Sequence, residues 1–430
     1  MPTHPVRYLT GITTTGTPHL GNYVGAIRPA VEASRRAGTE NFYFLADYHA
    51  LIKCDEPARI QRSTLEIAAC WLAAGLDPGQ VFFYRQSDIP EVTELTWLLT
   101  CVTGKGLLNR AHAYKAAVDK NVATGSDPDA DVTAGLFMYP VLMAADILMF
   151  KAHKIPVGRD QVQHIEMARD MAQSFNHLYG EHFVAPEAAI DESVAMLPGL
   201  DGRKMSKSYD NIIPLFAPPE QIRKQIAAIV TDSRLPGEPK QVEGSALFQI
   251  YQAFASGEET QALRQAYDSG ISWGDAKQLL FERIDREIAP MRERHDALVN
   301  NPAELEKILR DGAEKARVLS KPFMAELRAA VGLRSLAAQA GSAGKAKTAK
   351  AALPAFKQYR EDGRHYFKLV DGSGRLLAQS AGFDSPQQAG RTIAQLKQNG
   401  LAGLEPTLEL AADVDAADVV AALELLRQLR

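Results

Sequence analysis

Cysteine is almost absent from this chain: three residues in 430, at Cys54, Cys70 and Cys101, with no C-x-x-C pair. That spacing excludes a disulfide framework and argues against a structural zinc or iron–sulfur centre, so no metal-ligating set is expected and the cysteines read as small buried hydrophobes. Long apolar runs are lacking too. The longest, GLFMYPVLMAADILMF at 135–150, contains Asp146 and falls short of the roughly 20 residues that a membrane helix needs, so it reads as a buried core helix. No charge sign dominates: 48 Lys and Arg against 52 Asp and Glu leave a net charge of -4, which excludes a uniformly polycationic or polyanionic protein. The N-terminus MPTHPVRYLTG carries neither a basic-then-apolar leader nor an Arg-rich amphipathic pattern, and a cytoplasmic protein without membrane association is expected.

What is present is ordinary globular composition, 46% apolar and 23% charged, over a length that accommodates two or three domains. From residue 1 to about 215, short strand-like runs (NFYFLADYHAL, VFFYRQS) alternate with helical patterns such as RIQRSTLEIAACWLAAGLDP. Such alternation predicts an α/β domain with a Rossmann-like parallel sheet. Over residues 216–338 the strand signal fades and the pattern becomes helical, as in PPEQIRKQIAAIV and AKQLLFERIDREIAPMRERHDALV, which predicts a helical domain. Residues 339–354 have the small, basic composition of a flexible linker. Residues 355–430 predict a small α/β domain: a hairpin around Asp-Gly-Ser-Gly, then SPQQAGRTIAQLKQNG with a Ser cap, Pro at the first helical position and a terminal Gly. Residues 341–400 carry ten Lys and Arg against four acids, a charged face open to solvent or to a polyanion.

Two stretches carry chemistry. In TTTGTPHLGNY (13–23), a strand-to-helix turn accounts for Gly16 and Pro18. It does not account for Gly21, which costs about 0.5–1 kcal/mol against alanine in a helix start and so suggests a flat ligand lying on the backbone. In DGRKMSKSYDN (201–211), two lysines and two serines converge in a Gly-preceded loop, donors suited to phosphate oxygens on which charge develops.

PHLGN and KMSKS, in that order, resemble the HIGH and KMSKS signatures of class I aminoacyl-tRNA synthetases. MYPVLMAADILMF (138–150), VGRDQVQHIEMARDMA (157–172) and FLADYHAL (44–51) are similar to the tryptophanyl-tRNA synthetase family. The resemblance covers roughly residues 5–335, and the remainder looks like an extension of longer bacterial members. It implies ATP and Mg²⁺ as cofactors, L-tryptophan and tRNA(Trp) as substrates, a homodimer, and anticodon reading by the helical domain. Thr13, Thr14 and Thr15 fall where the family wraps the ATP phosphates, though many members have Gln-Pro-Ser there. Gly21 and Asn22 match the adenosine positions, and Gly158, Arg159 and Asp160 the ribose positions, with Arg159 standing where many members have Glu. Met196 and Leu197 precede the clamp where backbone reads the adenine edge; Met205 lies within the clamp. Lys204, Ser206, Lys207 and Ser208, with Thr15, match the catalytic positions on the departing pyrophosphate.

For the amino acid, Asp146 matches the carboxylate that accepts the indole N–H, with Met143, Tyr139, His49, Gln161 and Val157 around it. From the residues alone, Asp146 could equally cap a neighbouring helix or pair with Lys151 or Lys154. Two rival functions stay open at this level: a tyrosyl-tRNA synthetase, and a non-catalytic RNA-binding paralogue. The pocket stretch VLMAADILMF weighs against the first, and the intact lysines of KMSKS against the second.

Overall fold

The computed structural model describes residues 5–14, 16–190, 197–333, 353–372, 374–401, 408–412 and 414–427. Thr15, Met196 and the expected linker up to residue 352 lie outside the described residues; of Asp160 only the backbone is described. The chain divides into two compact units, 1–333 and 334–430.

The first unit is built on five parallel strands: β1 (Val6–Ile12), β2 (Thr39–Leu45), β3 (Phe82–Arg85), β4 (Lys154–Pro156) and β5 (Glu187–Ala189). They lie side by side in the order β3-β2-β1-β4-β5. Winding goes outward from β1 to β3, then crosses back to β4 on the other side of β1. This reversal opens a crevice beyond the carboxyl ends of β1 and β4, where α/β sheets bind ligands. Because side chains alternate along a strand, the sheet feeds two cores. Tyr43, Leu45 and Phe83 pack with Leu20, Trp71 and Phe248 on one face. Phe42, Phe44 and Tyr84 pack with Ile147, Met171 and Phe323 on the other.

The run at 135–150 is a buried helix, Ala134–Met149, opened by the Thr133 hydroxyl, which accepts from the Leu136 N–H. Among the described residues no helix is long and apolar enough to cross a membrane. Two expectations need correction. The strand in NFYFLADYHAL stops at Leu45, and Asp47–Ala50 is a helical turn, because the Asp47 carboxylate takes the N–H groups of Tyr48 and Ser87 and ends the ladder. Only Cys70 is buried; Cys54 is half-buried and Cys101 exposed. In the helix Pro90–Val102, Leu95, Leu98 and Leu99 take the inward face, which turns Cys101 to solvent together with Trp97.

Residues 216–333 hold helices and connecting loops, the longest loop at 228–245, with the long helices Trp273–Val299 and Pro302–Ala330. They share the first unit with the sheet. The closest approach is at Gly312, where an added Cβ would lie 1.8 Å from the Phe83 carbonyl oxygen of β3.

The second unit is a four-stranded antiparallel sheet of β6 (Ala355–Glu361), β7 (Arg364–Val370), β8 (Leu376–Ser380) and β9 (Leu408–Leu410), in that order. Helices Pro386–Asn399 and Ala416–Arg427 share one core with Phe367, Leu369 and Ala378 of the sheet. The hairpin at Asp-Gly-Ser-Gly joins β7 to β8, and Ser385 caps the following helix through the Gln388 N–H. Strand β6 escapes the sequence reading, although Asp362-Gly363, both at positive φ, form the two-residue turn that joins it to β7.

The contact at Gly312 generates a stability prediction. Gly312→Ala puts a methyl into backbone that cannot move aside, and the expected cost is about 1–3 kcal/mol. Gly106→Ala, with nothing within 4 Å of its Cβ position, should leave stability within about 0.5 kcal/mol of the parent. Denaturant midpoints of the two variants check this, and equal midpoints would contradict the packing.

Candidate active site

The turn after β1 is drawn tight by its own side chains. The helical start at Leu20 is capped by His19: its Nδ1 accepts the Asn22 N–H at 3.2 Å, while Asn22 Oδ1 accepts the His19 N–H at 3.1 Å. Pro18 therefore precedes the cap instead of opening the helix. Burial, reinforced by the nearby Lys207 ammonium, lowers the His19 pKa to about 4, so the ring stays neutral and Nδ1 remains an acceptor at neutral pH. Gly21 is needed by this cap: a Cβ there would sit 3.0 Å from the His19 ring and 3.5 Å from Met205 Cβ. The missing side chain at Gly21 thus makes room for the His19 ring and Met205 on the side where a Cβ would point. Gly16, at φ +71°, has Lys207 Nζ 2.7 Å from where its Cβ would be. Thr14 is buried, and its Oγ1 has no hydrogen-bond partner.

The loop at 201–211 folds back on that turn. Leu20 N–H donates to Ile213 O at 2.9 Å, Leu215 N–H to Pro18 O at 3.0 Å, and Gly21 N–H points to Met205 Sδ at 3.4 Å. The loop's own shape is fixed by Asn211, which is buried. Its Oδ1 accepts the Ser206 N–H at 2.8 Å, and its Nδ2 donates to Asp201 Oδ1 at 2.7 Å and to the Lys204 carbonyl at 3.1 Å. Gly199 leaves room for it, since a Cβ there would fall 2.3 Å from Asn211 Cγ. Leu197 is buried with its carbonyl held by the Met205 N–H at 2.9 Å. Ser206 Oγ accepts the Ser208 N–H at 3.3 Å. Lys207 is exposed as a residue, but its ammonium lies against the Gly16 backbone, where surrounding protein strips water from it and lowers its pKa, with the Glu66 carboxylate opposing.

The turn, the loop and the segment after β4 meet at one cavity of ≈ 1990 Å³. Thr13, Gly16 and Asn22 line it from β1, Ser206 and Lys207 from the loop, and Val157, Gly158 and Arg159 from the end of β4. That volume exceeds the roughly 300–1,000 Å³ of a single small-molecule site, room for more than one reactant. Lys204 and Ser208 are exposed and do not line it. Across the cavity the helical region closes in: the Tyr23 hydroxyl donates to Glu287 at 2.9 Å, and Arg28 donates to the Ala253 carbonyl at 2.8 Å.

Asp146 forms a second cluster. It is 3% exposed, and its Oδ2 is hydrogen-bonded to His49 Nε2 at 3.0 Å. The Gln86 amide, itself fully buried, donates to both carboxylate oxygens at 2.9 Å, and its own Oε1 accepts the Tyr48 N–H. Burial pushes the Asp146 pKa up, while His49 and Gln86 pull against it. Neither lysine that might have paired with it does so: Lys151 Nζ lies 4.4 Å from the centre of the Phe323 ring, and Lys154 pairs with Glu187. The Tyr139 ring stands edge-on to His49, and its hydroxyl meets His164 Nε2 at 2.6 Å. Met143 and Val157 are half-buried against the same core; Gln161, also half-buried, opens the helix that follows. Gln86 and Asn211 escape the sequence reading. Their signals were a glutamine at the end of an apolar strand and an asparagine closing the lysine loop.

Residues 1–288 match the family described as tRNA synthetases class I (W and Y). The chain is 64% identical to the tryptophan–tRNA ligase of Xanthomonas axonopodis over 98% of both chains, and 62% identical to that of Xylella fastidiosa over 99% of this chain and 98% of the other. Among solved structures, the tryptophanyl-tRNA synthetase of Campylobacter jejuni complexed with ADP and tryptophan superposes with a TM-score of 0.71 at 41% identity. The match spans 76% of this chain and all of that one, so about a quarter of the present chain has no counterpart there, whereas the Xanthomonas relative extends along nearly all of it. The chain belongs to the tryptophanyl-tRNA synthetase family of class I aminoacyl-tRNA synthetases, in a long bacterial form with a C-terminal extension.

Proposed function

We propose that the chain activates L-tryptophan with ATP and transfers it to tRNA(Trp), releasing AMP and pyrophosphate. The observation that carries this reading is the lacing of the 13–22 turn to the 204–208 loop, which brings the Lys207 ammonium against Gly16 at the mouth of the crevice. A tryptophan carboxylate oxygen attacks the α-phosphorus, the bond to the bridging oxygen breaks, and pyrophosphate departs with the electron pair. In the second step a hydroxyl of the terminal tRNA ribose attacks the activated carbonyl, and AMP leaves. Nothing in this sequence needs a protein nucleophile; the work is positioning and charge compensation.

The residues fit the nucleotide. The orphaned Thr14 hydroxyl supplies an unspent donor, Gly16 leaves the backbone open to close approach, and the partly dehydrated Lys207 brings positive charge where phosphates would lie. Lys207 and Ser206 are the side chains placed to follow charge onto the leaving pyrophosphate; Lys204 and Ser208 reach it only if the loop shifts. Val157, Gly158 and Arg159 suit the ribose. Magnesium bound by the nucleotide's own phosphates would neutralise their charge further.

For the amino acid, the carboxylate of Asp146 retains lone-pair capacity beyond His49 and Gln86, and an indole N–H can take it. The identities to tryptophan–tRNA ligases favour this over a tyrosine substrate. A homodimer belongs to the same reading. So does anticodon reading by residues 216–333 and a cytoplasmic location.

The substrate assignment is tested by Asp146→Asn, which keeps shape but removes the charged acceptor. Losing a hydrogen bond to a charged group should lower kcat/KM for tryptophan about 10- to 150-fold while phenylalanine changes far less, read by pyrophosphate exchange. An unchanged tryptophan-to-phenylalanine ratio would make Asp146 a purely structural carboxylate.

Lys207→Met tests the clamp. Pre-steady-state adenylate formation should slow by about 10²–10³-fold with the tryptophan Kd little changed, since a preorganised charge acts on the transition state. Normal activation in this variant would remove Lys207 from the chemistry.

A further inference from the structure

Gln86 belongs to neither signature motif, yet it is the side chain that meets both oxygens of Asp146. It stands in the 3₁₀ turn Gln86–Asp88 that follows β3, and His49 stands in the helical turn Asp47–Ala50 that follows β2. The two strands are paired to their ends, Leu45 opposite Arg85, so the turns leave the sheet side by side. A clasp joins them. Asp47 Oδ1 accepts the Ser87 N–H at 3.0 Å, its Oδ2 accepts the Ser87 hydroxyl, and Gln86 Oε1 accepts the Tyr48 N–H at 3.1 Å.

That last bond fixes the direction of the Gln86 amide. A backbone N–H only donates, so its partner is the amide oxygen, and the Nε2 group is the end turned to Asp146. It lies 2.9 Å from each carboxylate oxygen, midway between them. Oδ2 has His49 Nε2 as a second partner at 3.0 Å, whereas Oδ1 has, among the described residues, Gln86 alone. The oxygen with lone-pair capacity left is therefore Oδ1. Stability does not account for this arrangement: Ala145, Ile147 and Leu148 are buried beside Asp146 in the same helix, and apolar packing serves a core at least as well as a buried carboxylate. Burial raises the Asp146 pKa, His49 and Gln86 lower it, and the Asp47 carboxylate raises it; the Tyr84 hydroxyl, buried on β3, is kept protonated by burial and by the Asp146 charge.

We infer that Gln86 is a positioning residue for tryptophan specificity: its amide sets the Asp146 carboxylate so that Oδ1 is left to accept the indole N–H. A ring without a donor leaves that oxygen buried and unpaired, which is the penalty that excludes phenylalanine. The inference rests on the tryptophan-activating reading above and adds the residue that makes the carboxylate selective.

The test is the tryptophan-to-phenylalanine ratio of kcat/KM, read by pyrophosphate exchange in the full-length protein from about pH 6 to 9 and taken relative to the parent at each pH. Titration of the α-amino group and of ATP cancels in that ratio. Gln86→Met removes the donor, so Asp146 takes up a proton more readily. Its ratio should fall about tenfold at the acid end and recover as pH rises and the carboxyl ionises. Gln86→Glu keeps an acceptor for the Tyr48 N–H and sets a second carboxyl against the first. The pair shares a proton at low pH, which preserves a donor to Asp146, and loses it as pH rises, so here the ratio should fall toward the alkaline end. A merely structural amide does not produce opposite trends. Ratios equal to the parent's, or lowered alike at every pH, overturn the inference, and Gln86→Glu decides it alone if Gln86→Met fails to fold. Absence of tryptophan-dependent exchange in the parent sinks the tryptophan reading itself and the inference with it, an outcome that the variants' ratios cannot mimic.

Discussion

The site depends on a few bonds between segments far apart in the chain. Residues 18–21 and 205–215 are tied by the Leu20–Ile213 and Leu215–Pro18 backbone hydrogen bonds and by the Gly21–Met205 contact. Each segment has its own internal ties, the His19–Asn22 cap and the Asn211 amide, and the bonds between them set where one lies against the other. The turn after β1 is a short helical start with one cap, and the lysine loop has only a 3₁₀ turn, Lys207–Tyr209. Joined, they set the lysine beside the bare backbone of Gly16, and the close approach forbids a side chain there. Geometry of this kind is what an electrostatic catalyst needs, since donors already in place require no reorganisation as charge develops.

Asn211 and Gln86 play matching roles on the two sides of the site. Each is a buried amide whose donors and acceptor are spent on neighbouring polar groups, which satisfies the amide itself and, for Gln86, the buried Asp146 carboxylate as well. Asn211 satisfies the backbone of the lysine loop and the Asp201 carboxylate. Gln86 holds both oxygens of Asp146. Each fixes the position of its neighbours, and a carboxylate so held can discriminate among ligands by leaving a lone pair that only the right donor completes.

Patterning along the chain was enough to place β1, β2 and β3 with the helix between the last two, the helical character after residue 215, the buried helix around Asp146 and the C-terminal hairpin with its capped helix, while the three-residue strands β4 and β5 were too short to register. Strand β6 was missed because its polar outer face hides the alternation, and only Asp362-Gly363 marked it. The cysteine expectation failed for Cys101 because composition says nothing of helical phase: Leu95, Leu98 and Leu99 decide which side faces inward, and Cys101 lies on the other.

The resemblance carried by HLGN and KMSKS was enough to single out Thr13, Asn22, Ser206 and Lys207, which the structure brings to one cavity, because each motif is a local stretch of sequence. Only the tertiary structure decided what Gly21 and Asp146 meet. Gly21 faces the His19 ring and Met205, and Asp146 faces His49 and Gln86 in place of either nearby lysine. Those partners lie up to 184 residues away in sequence. Their selection is a matter of which strands pair and which way their side chains alternate, and no local signal encodes that choice.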